Sequence, residues 1–367
     1  MIKKISLNGF FLLLLSNATI YAFPDSTFSN IHISARFHYG FTMAHTKTIE
    51  YVVNGRVPGF ELIISRPSWG KHVYPQYYRY PQTGMSFFRC YFQHYDILGA
   101  ASGLYPFIAI PFAIHKPLNN YYYSIGFGLA YLEKTFSIEK NLYNTAIGTK
   151  MNILFNFSFG GQQYITPRLA LRENIGITHF SNGNIKKPNL GLNYISYAMG
   201  LSYILKPHPL MPVQYLPQMF NKYEYHCVLS GGARSYALYN NSLFFASSLS
   251  AGLGHYISNR HKPGIGGDIF YSEAIALYLK DKNINNISCS KKMQYGIHAF
   301  HDLIYNRLIL TVQVGKYVHA AFSEKPVYSR FGIRYKLNNY LLANLALKTH
   351  YASADFVEFG LGYYGNK

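Results

Sequence analysis

Residues Ile31 to Met43 read IHISARFHYGFTM. Ile31, Ile33, Ala35, Phe37, Tyr39, Phe41 and Met43 fall on one face, and His32, Ser34, Arg36, His38, Gly40 and Thr42 on the other. Side chains alternate across an extended chain, so this period of two predicts a strand with one apolar face and one polar, small-residue face. The stretch is about twice as long as the 5 to 6 residues usual for strands of soluble sandwiches.

The pattern recurs along the chain. LILTVQVGKYV sets Leu308, Leu310, Val312, Val314 and Val318 against Thr311, Gln313, Gly315 and Tyr317. VYSRFGIRYKL sets Val327, Phe331, Ile333, Tyr335 and Leu337 against Tyr328, Arg330, Gly332, Arg334 and Lys336. DFVEFGLGYY, close to the C-terminus, sets Val357, Phe359, Leu361 and Tyr363 against Glu358, Gly360 and Gly362. Arginine and glycine on one face, with aliphatics and tyrosine on the other, suit a wall between lipid and a polar interior. The reading is an all-β fold, a transmembrane antiparallel β-barrel of roughly 14 strands, within a range of about 8 to 16.

Composition agrees. Of 367 residues only 13% are charged, while 17% are aromatic, with 36 Tyr and 27 Phe against one Trp. A soluble domain carries about 25% charged residues. Tyrosines near strand ends fit the interfacial girdles of a membrane barrel. Lys3 and Lys4, the apolar run Phe10 to Leu15 and a small residue at Ala22 form a secretory signal peptide. The expected organisation is a signal peptide over residues 1–22 and one barrel over 23–367, exported to the outer membrane of a Gram-negative cell. The formal net charge of +19 favours polyanions such as lipopolysaccharide phosphates. Export and the scatter of the basic residues exclude nucleic acid as partner. Cys90, Cys227 and Cys289 show neither CxxC pairing nor zinc spacing, and there is no HExxH helix.

The candidate site is THFSNGNIKKPNLGLN, Thr178 to Asn193. In the strand entering it, Leu169, Leu171, Ile175, Ile177, His179 and Ser181 share the lipid-facing parity. Arg168, Ala170, Arg172, Asn174, Gly176 and Thr178 share the interior one. In the strand leaving it, Asn193 shares the outer face with Ile195, Tyr197, Met199, Leu201 and Tyr203. Parity therefore brings His179, Ser181 and Asn193 onto adjacent outer staves, about 4.8 Å apart. Polar groups facing lipid are costly unless they bond one another, so three together call for a role. Histidine as base, serine as nucleophile and asparagine to orient the imidazole make an ester-cleaving set, with donors at Asn182 and Gly183 for the oxyanion. The bland alternative is a polar hairpin in the aqueous rim. Glu173 shares the outer face, but about 20 Å of strand separates it from His179. Lys186 and Lys187 could hold a substrate phosphate, or simply be solvated.

At these residues the sequence resembles the outer-membrane lipid A 3-O-deacylases. The family's His-x-Ser-Asn motif matches His179, Phe180, Ser181 and Asn182, and its Lys-x-Pro-Asn-x-Gly segment matches Lys186 to Gly191. The resemblance implies a serine esterase on a barrel exterior that removes an ester-linked acyl chain from lipid A. In it His179 is the base, Ser181 the nucleophile, and Asn182 and Gly183 line the oxyanion hole. No cofactor or metal is expected. The chain departs from the family in carrying Asn193 at the acidic triad position, and in holding about twice the strands of an eight-stranded barrel. Outer-membrane phospholipase A is similar in its His-x-Ser-Asn-Gly run with a following asparagine. That resemblance implies glycerophospholipid as substrate, calcium and a homodimer. A third reading is a non-enzymatic pore or structural barrel. One internal echo remains: KPNLGLN (Lys187 to Asn193) is like KPGIGGD (Lys262 to Asp268), through duplication or through two similar hairpins.

Overall fold

In a computed structural model the alternating segments become, among the described residues, sixteen antiparallel strands. The structure describes residues 30–44, 46–68, 73–112, 119–207, 222–237, 242–323, 325–351 and 353–366. The expected signal peptide, residues 1–22, lies outside them. Eight strands form the first half: β1 (Ile31–Met43), β2 (Arg56–Pro67), β3 (Gln82–Tyr91), β4 (Ala100–Pro111), β5 (Asn119–Leu132), β6 (Met151–Tyr164), β7 (Leu169–Ser181) and β8 (Leu192–Leu205). Eight form the second: β9 (Tyr223–Ser235), β10 (Leu243–His255), β11 (His261–Ser272), β12 (Met293–Tyr305), β13 (Leu308–Ala320), β14 (Val327–Lys336), β15 (Leu341–His350) and β16 (Ser353–Asn366). Among the described residues no helix is long and apolar enough to cross a membrane.

These strands close as two barrels of eight, where the sequence reading expected one barrel over 23–367. β1 pairs with β8 from Ile31↔Leu205 to Met43↔Asn193, and β16 pairs with β9. Closure rests on these distant pairings, and alternation within a strand is the same whichever partner closes the ring. Parity itself holds. Ile33, Phe37, Tyr39, Phe41 and Met43 are exposed, whereas His32, Ser34, His38 and Thr42 are buried inside.

Eight strands leave an interior just wide enough for side chains to fill. In the first barrel Glu61 is the hub. It pairs with Arg36 at 2.6 Å and His38 at 3.0 Å, and accepts the hydroxyls of Ser86 and Tyr105. In the second, Arg330 bonds Glu358 at 2.6 Å and Asp268 at 3.1 Å, and Asp268 also accepts Tyr328 at 2.6 Å. Charges so buried persist because each is paired.

The two barrels meet like end to like end. At the end where β1 begins, the Tyr78 hydroxyl donates to the Ile304 carbonyl at 2.6 Å and Arg260 to the Tyr77 carbonyl at 3.1 Å. At the other end, the Ser235 N–H donates to the Asn184 carbonyl at 2.8 Å. Two barrels side by side in the same sense can span one bilayer together.

Candidate active site

The registers of β6, β7, β8 and β1 set outward-facing residues in rungs. Phe155 is opposite His179, His179 opposite Asn193, and Asn193 opposite Met43. The next rung is Phe157, Ile177, Ile195 and Phe41, and the one beyond it Phe159, Ile175, Tyr197 and Tyr39. One rung of imidazole and carboxamide therefore caps an apolar wall, at the end of β7. Ser181, the last residue of that strand, lies two places beyond His179 on the same face, about 7 Å by Cα.

The expected pair is formed. His179 Nδ1 lies 2.6 Å from Asn193 Oδ1. A carboxamide oxygen can only accept, so Nδ1 is the donor. His179 and Asn193 are half-buried, and Ser181 is buried at the rim. Glu173 faces outward, as parity requires, and takes the Tyr197 hydroxyl at 2.9 Å instead of approaching His179. No bulge interrupts β7 between these two residues.

The connection 182–191 then folds over the rim. The Asn182 N–H donates to Asn189 Oδ1 at 2.9 Å, and its carboxamide donates to the Lys186 carbonyl at 2.7 Å. Gly183 has φ +65° and Gly191 φ +78°, in the left-handed region that glycine enters without strain. Gly191 is also a close approach: a Cβ there would lie 2.9 Å from His179 Cε1. Its N–H is held by the Ala146 carbonyl at 3.0 Å, from the β5–β6 connection. Lys186 is half-buried, while Lys187 Nζ reaches the second barrel and donates to the Tyr236 carbonyl at 2.9 Å. Gly191 entered the sequence reading only as the end of the Lys-x-Pro-Asn-x-Gly match, with no role, and Asn184 did not enter it. The left-handed glycine before a strand was the available signal for the first.

Among the described residues the second barrel holds no copy of this arrangement. The echo KPGIGGD opens β11 from the opposite end of its barrel, so it is not the counterpart of the β7–β8 hairpin. In chain order the counterpart is β15–β16, where Thr178-His179-Phe180 corresponds to Thr349-His350-Tyr351. A register shift falls between Lys348 and Thr349, and His350 is buried with Nε2 at 2.8 Å from the Tyr317 hydroxyl. Cys90 is buried, Cys227 and Cys289 are exposed, and all three are unpaired. Among the described residues no group of three or more His, Cys, Asp and Glu is placed to hold a metal.

The fold and site define a membrane β-barrel with a filled interior and a polar rung on its outer wall. Family models divide the chain as the barrels do. Residues 67–202 match lipid A 3-O-deacylase (PagL), and residues 223–367 match the acyloxyacyl hydrolase C-terminal domain. The chain belongs to the lipid A 3-O-deacylase (PagL) family, and it is an acyl hydrolase. No curated protein matches it. Among solved structures, a porin triple mutant of Rhodopseudomonas blastica is 6% identical, with 91% of this chain and 99% of that chain covered at a TM-score of 0.17. A deletion mutant of TodX, a monoaromatic hydrocarbon channel, is 10% identical, with 92% and 91% covered at a TM-score of 0.18. Superpositions this poor carry no argument about the fold.

Proposed function

We propose that the protein is an outer-membrane serine esterase that removes an ester-linked acyl chain from lipid A, with His179, Ser181 and Asn193 as its catalytic set. The observation that carries this reading is the 2.6 Å bond between His179 Nδ1 and Asn193 Oδ1 on the lipid-facing rung, with Ser181 next on the same face. In neutral His179 a hydrogen on Nδ1 is the tautomer in which Nε2 acts as the general base.

In the first step His179 Nε2 takes the proton of Ser181 Oγ as the oxygen attacks the ester carbonyl. The oxyanion is met by the Gly183 N–H and the second hydrogen of the Asn182 carboxamide, whose first is given to Lys186. The imidazolium then protonates the departing sugar oxygen, which leaves an acyl-serine. Water, deprotonated by His179, releases the fatty acid and restores the hydroxyl. The acyl chain lies along the apolar rungs of Phe157, Ile177, Ile195 and Phe41. Lys186 supplies a cation for a lipid A phosphate, while Lys187 donates to the Tyr236 carbonyl of the second barrel.

No step here uses a cofactor. Asn193 itself favours one second reading, a phospholipase acting on glycerophospholipid. Purified protein, incubated separately with lipid A and with phospholipid vesicles and read by mass spectrometry, tests both. Loss of one hydroxyacyl chain from lipid A, absent with Ser181→Ala, is the expected result. Lysophospholipid alone would transfer the assignment. The pore reading predicts conductance in planar bilayers, which filled eight-stranded lumens argue against.

A further inference from the structure

The ladder that closes the second barrel is incomplete. β16 and β9 pair from Asn366↔Glu224 to Phe359↔Gly231, and there the pairing stops. Continued in the same register, it would set Ser235 opposite Asp355. Asn184 of the first barrel bridges those two residues. Its carbonyl accepts the Ser235 N–H at 2.8 Å, and its carboxamide donates to the Asp355 carbonyl at 2.9 Å. The Arg234 and Asp355 side chains form an ion pair, and Lys348 adds a second bond to Asp355 at 2.7 Å.

Three further facts place the same connection on the second barrel. Lys187 Nζ donates to the Tyr236 carbonyl. A Cβ at Gly183 would collide with Val357. Val357 has the outward parity of exposed Leu361 and Tyr363, yet is itself buried. Asn184 is buried with φ +68°, a conformation asparagine tolerates better than most residues.

We propose that the second barrel is a positioning platform for the active-site connection of the first, and that Asn184 is the positioning residue that couples them. Asn182, Gly183 and Asn184 directly follow Ser181, so the splayed seam between β9 and β16 sets where the oxyanion donors stand. This rests on the site reading above. Oxyanion donors act when charge develops on the substrate oxygen, so displacing them lowers kcat far more than it alters KM.

The test uses full-length protein folded in detergent micelles, with folding checked by heat-dependent electrophoretic mobility and lipid A in mixed micelles as substrate. Asn184→Gly keeps the left-handed backbone and deletes the bond to Asp355, and Lys187→Met deletes the other tether. Val357→Ala loosens the contact from the second barrel's side, should the first variants fold poorly. The expected result is a kcat about 10- to 100-fold lower in the Asn184→Gly/Lys187→Met double variant, with KM within about twofold. A smaller fall of the same kind is expected for Val357→Ala. An unchanged kcat in these variants, beside an inactive Ser181→Ala, would refute the platform and leave the site standing. Activity surviving in Ser181→Ala would remove the site and the platform together.

Discussion

Asn193 is the residue on which the chemistry turns, because it accepts the His179 hydrogen but brings no charge. A carboxylate there would stabilise the imidazolium as it forms. Asn193→Asp should therefore increase kcat. Steady-state rates on lipid A, compared with the native protein, would read the effect. Gly191 acts by being small. In Gly191→Ala the new methyl meets His179 Cε1 at 2.9 Å in a left-handed backbone. A fall in kcat of about tenfold or more is expected in the folded protein. The histidine, serine and asparagine were legible in the sequence because strand parity is a local property. Gly191 and Asn184 were not, because what they touch is set by a connection folding back, and by another barrel.

At the scale of the element, β7 and β8 carry a polar rung over an apolar wall without a bulge between them. That continuity is why period-two reading placed Glu173 and His179 on one face, and why the two cannot meet. Ile175 sits at the middle of β7 and is exposed. Ile175→Arg should destabilise the barrel by about 2–4 kcal/mol, the cost of a cation facing lipid near the midplane. The urea midpoint of unfolding from lipid vesicles would measure it. The strand faces were legible wherever pairing is regular, since each residue reports its own side, but Arg168, expected inside, precedes β7 in a bend and is exposed. Strand ends and the splay of β16 from β9 were not, because they depend on the partner strand.

The whole molecule departs from its sequence reading in one respect: sixteen strands close as two rings. Pairing of β1 with β8 and of β9 with β16 joins residues far apart in the chain, and no alternating pattern encodes it. The overlooked signal was the group of prolines at 207, 209, 212 and 217, which lies where β8 ends and before β9 begins. Proline cannot serve a central strand. Each ring is held from inside by paired charges, so Arg330→Met should cost about 3–5 kcal/mol by leaving Asp268 and Glu358 buried without their cation. Urea unfolding would detect the loss. The central claim is chemical, and one comparison tests it most directly. Lipid A from outer membranes containing the protein, or its Ser181→Ala variant, would be analysed by mass spectrometry. The account predicts the loss of one ester-linked acyl chain with the native protein and intact lipid A with the variant. The same loss with both, or with neither when both are folded in the membrane, would contradict it.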